Sequence, residues 1–275
     1  LGSDRDEVVL ATKYGLGDRP ESGLHHTGNS RKSMVQCVEA SLRRLGTDRL
    51  DLLWVHMPDA VTPVDEIMRG LDDLVRAGKI LYVGLSDFPA WRVAAAAVLA
   101  QWRGWSPVAA IQIEYSLVAR SAERELLPMA QASGIGALGW PPLGEGLLTG
   151  KSRRGETGRA QGLGAVVHHE DDARKTALVD LVLRIAHEVD RPPGHVALAW
   201  VLGRGVLPLL GPRAVAQLAD NLAVGDLVLS DAHQDQLDAA SSITLGFPHD
   251  TVAASAGRLA GGRPELVAPM AGAVR

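Results

Sequence analysis

Short apolar runs alternate along the chain with stretches in which apolar residues recur every three or four positions. The runs predict six strands, at residues 8–13, 51–56, 81–86, 108–115, 135–140 and 206–210. The periodic stretches predict helices between and after them, at residues 30–45, 63–78, 91–102, 122–133, 174–189, 193–203, 215–225 and 231–241. The order of elements is therefore a repeated strand followed by helix.

The predicted strands are continuously apolar, which is typical of parallel strands buried on both faces. A (β/α)8 TIM barrel and a doubly wound sheet both fit this order. No Gly-x-Gly-x-x-Gly follows an early strand, so the pattern favours the barrel. Six strands are two short of eight, and the chain begins at Leu1 without a methionine. We therefore expect an α/β barrel from which the first two strands are missing.

The domain prediction is one barrel domain over residues 1–250 that lacks its N-terminal units. Residues 251–275 form an Ala/Gly/Pro-rich tail, which we expect to be frayed or loosely packed. An open parallel barrel exposes strand edges, and such edges favour association into a homo-oligomer.

Composition narrows the classes of protein. The 275 residues include 46% hydrophobic and 22% charged residues, as in a globular protein with a sizeable core. The net charge of −4 does not indicate a nucleic-acid partner. No apolar run reaches the roughly 18 residues of a membrane span, and no signal peptide is recognisable. The single Cys37 is expected to be a small buried hydrophobe, and the protein to be soluble and cytoplasmic.

In a parallel barrel, functional side chains gather at the carboxyl ends of the strands. Those positions hold Lys13, His56, Ser86 with Asp87, Gln112 with Tyr115, Trp140, and the Gly-Pro-Arg of residues 211–213. Taken alone, Lys13 reads equally well as a surface lysine, and a lone His56 is more often a core residue. Their positions at adjacent strand ends favour a shared site.

Two further features have alternative interpretations. Trp140 could pack ordinarily or form a flat platform for a planar cofactor ring. The Gly-Pro-Arg before the helix at 215–225 could be a plain turn or a phosphate site. The histidine pairs at 25–26 and 168–169 have no Cys or carboxylate at a convincing ligand spacing, so no metal site is predicted.

Six motifs in order carry a resemblance to a known family. They are "ATKYG", "SLRRLGTDRLDLLWVHMPD", "VRAGKILYVGLSDFPAW", "IQIEYSLVAR", "WPPLGEGLLTGK" and "LLGPRAVAQLADN". In this order they resemble the aldo-keto reductases, most closely the bacterial branch related to the potassium-channel β-subunit. The resemblance covers nearly all of residues 5–245.

The resemblance implies a (β/α)8 barrel that binds NADPH or NADP+ without a Rossmann motif and passes a hydride to a small-molecule carbonyl. In that family a tyrosine protonates the oxygen, a lysine lowers the pKa of the tyrosine, an aspartate pairs with the lysine, and a histidine orients the carbonyl. Lys13 matches the lysine and His56 the histidine.

The same resemblance implies the cofactor-binding residues. Ser86, Asp87 and Gln112 match those that hold the nicotinamide carboxamide. Many relatives have asparagine where this chain has Asp87, and a carboxylate can accept from an amide NH2 but cannot donate to its oxygen. Trp140 and Leu143 match family residues beside the nicotinamide. The residues that match the family's binding stretch for the adenosine 2′-phosphate and adenine are Gly211, Arg213, Gln217 and Asn221.

The chain also departs from the family pattern. The family carries its aspartate and tyrosine on and just after the second strand, a segment without a counterpart here. Tyr14, Tyr82 and Tyr115 are poorly placed to replace that tyrosine. Two hypotheses follow: an NADPH-dependent reductase of an aldehyde or ketone, or a catalytically incomplete NADP(H)-binding regulatory protein. A third is a protomer that borrows strands from a neighbour.

Overall fold

The structure, a computed structural model, describes residues 2–17, 22–151, 153 and 168–267. Residues 268–275 of the predicted tail therefore lie outside the described part. The fold is α/β, and every strand pairing within a compact unit is parallel. The chain divides into two such units. The first comprises Leu1–Gln112 with Met129–Gly136, and the second comprises Ile113–Pro128 with the chain from Ala137 onward.

The strands of the first unit pair in sequence order. They are β1 (Ala11–Tyr14), β2 (Leu50–Val55), β3 (Ile80–Ser86) and β4 (Val108–Glu114), the last of which continues into the second unit. The helices that follow the first three strands are α1 (Arg31–Leu45), α2 (Val64–Arg76) and α3 (Ala90–Arg103). This alternation of parallel strand and helix confirms the predicted class.

Local sequence sets the ends of these helices. The Ser30 hydroxyl accepts a hydrogen bond from the Ser33 N–H at 3.3 Å, as an N-cap of α1 should. Gly46 ends the same helix in the left-handed conformation, with φ of 62°. The helices then bury one apolar face against the strands, with Met34, Val38, Ile67 and Leu71 fully buried.

The second unit contains β5 (Gly136–Trp140) and β6 (Leu207–Pro208), which pair in parallel. Helix α4 (Leu126–Ala132) has residues in both units. The other helices of the second unit are α5 (Ala173–Glu188), α6 (Pro193–Gly203), α7 (Val215–Leu222), α8 (Asp231–Ser241) and α9 (His249–Leu259). Apolar residues of α5, α6 and α8 form its core, among them Val182, Ile185, Val196, Trp200 and Leu237.

A buried arginine joins parts of this second unit. Arg120 donates two hydrogen bonds to the Glu123 carboxylate, at 2.8 and 2.9 Å, and one to the Ser241 hydroxyl at 2.8 Å. Its guanidinium also lies over the Trp200 ring, 5.1 Å from the centroid. The turn at Arg120 is thereby fixed to α6 and α8.

Several predicted boundaries are wrong, for physical reasons. β1 begins at Ala11 rather than residue 8, because the Leu10 N–H is bound by the Asp51 carboxylate at 2.6 Å and Val9 is 78% exposed. β6 is shorter than predicted and comprises only Leu207 and Pro208, although the Leu209 N–H still donates to the Gly139 carbonyl at 2.8 Å. The predicted helix at 122–133 begins only at Leu126, which leaves Pro128 in the first turn, where proline is tolerated.

One other expectation needs correction. Cys37 is only half-buried, with its Sγ 3.9 Å from the Ser33 hydroxyl. Residues 249–259, which overlap the predicted loose tail, form α9, whose side chains are mostly exposed. Among the described residues, no helix has the length and apolar character needed to cross a membrane.

Candidate active site

The carboxyl ends of β1 to β4 bring four of the predicted site residues to one edge of the first unit. The His56 N–H donates to the Tyr14 carbonyl at 2.9 Å, which extends the pairing of β1 and β2 by one residue. The Asp87 N–H likewise donates to the Gln112 carbonyl at 2.9 Å. The strand-end residues Lys13, His56, Ser86 and Gln112 therefore lie side by side, as the sequence predicts.

Strand register places their side chains on one face. Lys13 pairs with Trp54, Trp54 with Gly84, and Ser86 with Gln112. Neighbours in a parallel pair project to the same side, and residues two apart on one strand do so too. The candidate site is thus a single face of four strands, on which Trp54 lies level with Lys13 and one layer below His56, Ser86 and Gln112.

Gly84 makes room for that layer. A Cβ at this position would lie 2.3 Å from Cε3 of the Trp54 indole, far inside contact distance. The indole can cover Gly84 only because the glycine has no side chain. Trp54 is itself buried and forms the floor beneath the polar strand ends.

A hydrogen-bonded chain connects three of the polar groups. The Lys13 Nζ donates to the Ser86 Oγ at 3.4 Å, and the Ser86 hydroxyl donates to the Asp87 Oδ2 at 3.2 Å. Asp87 has a left-handed backbone, with φ of 58°. Aspartate and asparagine adopt this conformation more readily than other residues with a Cβ. From the sequence, Asp87 is expected only to bind the cofactor, and its link to Lys13 becomes visible in the structure.

Burial and neighbouring charges shift the pKa values of the two bases. Burial lowers the pKa of Lys13, and the charge of Asp87 partly opposes that shift. Burial and then the positive charge of Lys13 lower the pKa of His56, again opposed by Asp87. His56 is therefore neutral at pH 7, so one of its ring nitrogens carries a proton and can donate a hydrogen bond.

Gln112 has an unused acceptor. Its side chain is 2% exposed, and its Oε1 is buried without a hydrogen bond from any described residue. A buried polar atom without a partner costs roughly 1–3 kcal/mol, so such atoms are uncommon in folded proteins. Ser86, its partner in the register, is also fully buried. The carboxyl ends of β3 and β4 can thus receive an N–H donor from a ligand.

Asp59 has a structural role, in agreement with its interpretation as a turn residue. Its carboxylate accepts from the Asn29 N–H at 2.7 Å, the Val61 N–H at 3.1 Å, and both the N–H and the hydroxyl of Thr62 at 2.7 Å. Asn29 in turn accepts from the Asp59 N–H at 2.7 Å. The segment after His56 is therefore pinned to the loop before α1.

The other predicted cofactor residues lie in the second unit. Trp140 ends β5 and is partly exposed, while Leu143 follows in the loop and approaches Gly194 of α6. Gly211 and Arg213 precede α7 and are exposed. Gln217 accepts from the Arg213 N–H at 2.8 Å, and Asn221 lies on the same helix. The structure thus places the predicted phosphate-binding residues in one segment.

Two of the three tyrosines are buried and one is exposed. Tyr14 is buried, and burial together with the nearby charge of Asp59 raises the pKa of its phenol. Tyr82 is exposed near the start of β3. The Tyr115 hydroxyl donates to the Glu123 carboxylate at 2.7 Å. In the first unit, neither described tyrosine hydroxyl is bonded to Lys13.

The structure contains histidine–carboxylate contacts that the sequence did not predict. The His168 Nε2 lies 3.0 Å from the Glu114 Oε1, and the buried His195 has its Nε2 3.3 Å from the Asp220 Oδ1. Glu114 lies two positions after Gln112 on β4, so both side chains lie on the same face of the strand. This spacing is the sequence feature that could have indicated the contact of Glu114 with His168. Within the described residues, no group of three or more His, Cys, Asp or Glu side chains could hold a metal ion.

Comparison with known proteins adds independent evidence. Residues 1–242 match the model of the Aldo/keto reductase family. Norsolorinic acid reductase of Aspergillus flavus is 35% identical over 251 residues, which cover 89% of this chain and 63% of the relative. Norsolorinic acid reductase B of Dothistroma septosporum is 34% identical over 255 residues, covering 90% and 64%. Oxidoreductase YrpG of Bacillus subtilis is 36% identical over 232 residues, covering 83% and 70%.

The chain spans less than two thirds of the length of the two fungal relatives.

Proposed function

The chain belongs to the aldo/keto reductase family, and from this premise we propose that it reduces an aldehyde or ketone with NADPH. The relatives described above support oxidoreductase chemistry, and two of them are named for the reduction of norsolorinic acid. The fold expected for this activity is the (β/α)8 barrel. The link to the potassium-channel branch, a cytoplasmic location and a homo-oligomeric state are further parts of the proposal.

The unpaired Oε1 of Gln112 is the observation that carries the proposal. Gln112 is the register partner of the buried Ser86, whose hydroxyl is bonded to the Asp87 carboxylate, so three groups with acceptor oxygens lie at the carboxyl ends of β3 and β4. The carboxamide of a nicotinamide offers an NH2 with two donors, which fits such a set. When bound, the reduced nicotinamide supplies a hydride to the substrate carbon.

The bases at the adjacent strand ends have separate roles. His56, neutral because its pKa is lowered by burial and by Lys13, donates a hydrogen bond to the carbonyl oxygen and orients it. Lys13 provides positive charge where negative charge develops on that oxygen. Gly211, Arg213, Gln217 and Asn221 would hold the 2′-phosphate and adenine, and Trp140 and Leu143 would contact the nicotinamide ring.

A binding experiment tests the Gln112 assignment. NADPH is titrated against the protein while tryptophan fluorescence is followed, using the wild type and Gln112→Leu. Loss of the buried acceptor should weaken binding about tenfold, as removal of one good hydrogen bond does. Gln101→Leu, an exposed glutamine on α3, is the matched control and should bind like the wild type. Equal affinity of all three proteins would refute the assignment.

Turnover distinguishes the reductase from a second candidate, a regulatory NADP(H)-binding protein. That candidate is favoured by the tyrosines of the first unit, since neither hydroxyl is bonded to Lys13. NADPH consumption with a nitrobenzaldehyde supports the reductase. NADPH binding without consumption of NADPH, across a panel of aldehydes and ketones, supports the regulatory protein. Absence of NADPH binding rejects both candidates.

A further inference from the structure

A charged relay crosses the candidate site from β1 to the end of β3. It consists of the Lys13 ammonium, the Ser86 hydroxyl and the Asp87 carboxylate, separated by 3.4 and 3.2 Å. The contact from Lys13 passes over β2, which lies between β1 and β3 in the pairing order. A lysine side chain is long enough to span this distance, and Gly84 presents no side chain of its own below Ser86.

The Ser86 hydroxyl can make both hydrogen bonds of the relay at once. A serine hydroxyl has one donor hydrogen and two acceptor lone pairs. Here it accepts from the cation and donates to the anion, so both of its hydrogen bonds are charge-assisted. One hydroxyl thus joins an ammonium and a carboxylate that come from different strands.

We propose that Asp87 is a positioning residue, which acts through the Ser86 hydroxyl to hold the Lys13 ammonium at the strand ends and to provide its counter-charge. This inference deepens the proposed function and rests on it for the effect on turnover. The relay itself can be tested without any ligand. It gives Asp87 a role toward the bases of the site, in addition to acceptance of a cofactor donor.

The backbone of Asp87 supports this role. A non-glycine residue with φ of 58° is uncommon, and unusual backbone conformations concentrate at functional sites. This conformation follows directly after the strand end and allows the carboxylate to reach back to the hydroxyl of the preceding residue. The backbone conformation of Asp87 therefore holds its carboxylate at the Ser86 hydroxyl.

The effect of the Asp87 charge on the two neighbouring bases is the effect expected of a counter-charge. Asp87 raises the pKa of Lys13 and of His56, against burial, which lowers both, while Lys13 lowers that of His56. These three residues are the charged groups that act on one another here. Removal of the carboxylate should therefore move both bases toward their neutral forms.

The test uses Asp87→Asn in the full chain without ligand. Asparagine keeps the side-chain shape and also tolerates the left-handed backbone, so the fold should persist. NMR titration of the histidine rings, with His56 identified by its absence in His56→Gln, should show a lower midpoint for His56. Acylation of Lys13 at constant pH, followed by mass spectrometry, should become severalfold faster because more of the amine is neutral.

Two further variants make the result specific. Ser86→Ala removes the hydroxyl and keeps the Asp87 charge, so Lys13 should react faster while the His56 midpoint stays close to that of the wild type. Asp48→Asn makes the same charge change at an 86% exposed side chain near the start of β2, and should alter neither measurement. Asp87→Gly replaces Asp87→Asn if circular dichroism shows that the asparagine variant is unfolded, since glycine adopts positive φ freely.

Unchanged midpoint and acylation rate in a folded Asp87 variant would overturn the relay. The NADPH titration of the wild type is a separate measurement, so failure of the relay and failure of the proposed function can be told apart. If turnover is observed, the pH profile of kcat for Asp87→Asn should move to lower pH. A change in KM alone, with an unmoved profile, contradicts the positioning role.

Discussion

Asp59 shows how one carboxylate can determine the path of the chain beside the site. It accepts four hydrogen bonds from three residues, and the Asp59 N–H donates to the Asn29 side-chain oxygen. The Met-Pro-Asp sequence indicates a turn, so the local contacts to Val61 and Thr62 were predictable. The contact to Asn29 was not, because it joins residues 30 positions apart and depends on how α1 meets the strands.

Asp59→Asn should destabilise the protein by about 1–3 kcal/mol, because an NH2 group then faces N–H and O–H donors that need an acceptor. Urea unfolding followed by circular dichroism measures the change. Asp48→Asn, an exposed aspartate without a comparable set of donors, serves as the control and should be near neutral. An Asp59→Asn midpoint equal to that of the control would show that these hydrogen bonds contribute little.

At the scale of elements, the pairing of β2 with β3 depends on one glycine. Gly84→Ala places a methyl group 2.3 Å from the Trp54 ring, so the indole or the strand has to move. We expect a loss of about 1–3 kcal/mol, as for other overpacked cores. The displacement should also disturb Ser86, which follows on the same strand, and therefore weaken NADPH binding.

Two companion variants test that explanation by urea unfolding. Gly136→Ala introduces a methyl group at ordinary contact distance, 3.5 Å from the Ala109 carbonyl oxygen, and should be close to neutral. Trp54→Leu combined with Gly84→Ala should recover part of the lost stability, because the smaller side chain leaves space. Additive effects of the two substitutions would mean that the clash is not the cause.

The existence and type of most elements could be predicted, since continuous apolar runs and helical periodicity are strong local signals. Their ends could not, because they depend on groups far away in sequence. The start of β1 is set by Asp51, which takes the N–H of Leu10. Proline was a usable local signal in one case, since Pro128 delays the start of α4.

At the scale of the whole molecule, the list of site residues was predictable and their connections were not. Parallel strands bring their carboxyl ends together, so Lys13, His56, Ser86 and Gln112 could be grouped from the order of strands alone. The Lys13–Ser86–Asp87 relay depends on register and on the left-handed backbone of Asp87, neither of which is readable from residue types. The same holds for the unpaired oxygen of Gln112.

Stability of the whole molecule should fall on acidification. Burial raises the pKa of Asp59 and of Asp72, but hydrogen bonds from Asn29 and Thr62, and from Arg76 and Ser106, outweigh it and keep both values low. In the second unit, the hydrogen bond from Arg153 lowers the pKa of Glu170. A carboxylate with a lowered folded pKa stabilises fully above its unfolded value, and this stability is lost as pH falls through the folded value.

The lowered pKa of His56 acts in the same direction at higher pH. The unfolded histidine takes up a proton near pH 6.5, before the folded one does, so acidification from there already favours unfolding. Urea midpoints should therefore decline in two stages, a first below about pH 6.5 and a steeper one below about pH 4. Asp72→Asn should lower the midpoint at pH 7 and flatten the acid stage, whereas Asp48→Asn should leave the shape of the curve unchanged. Parallel curves for the wild type and Asp72→Asn would show that Asp72 does not contribute to the acid sensitivity.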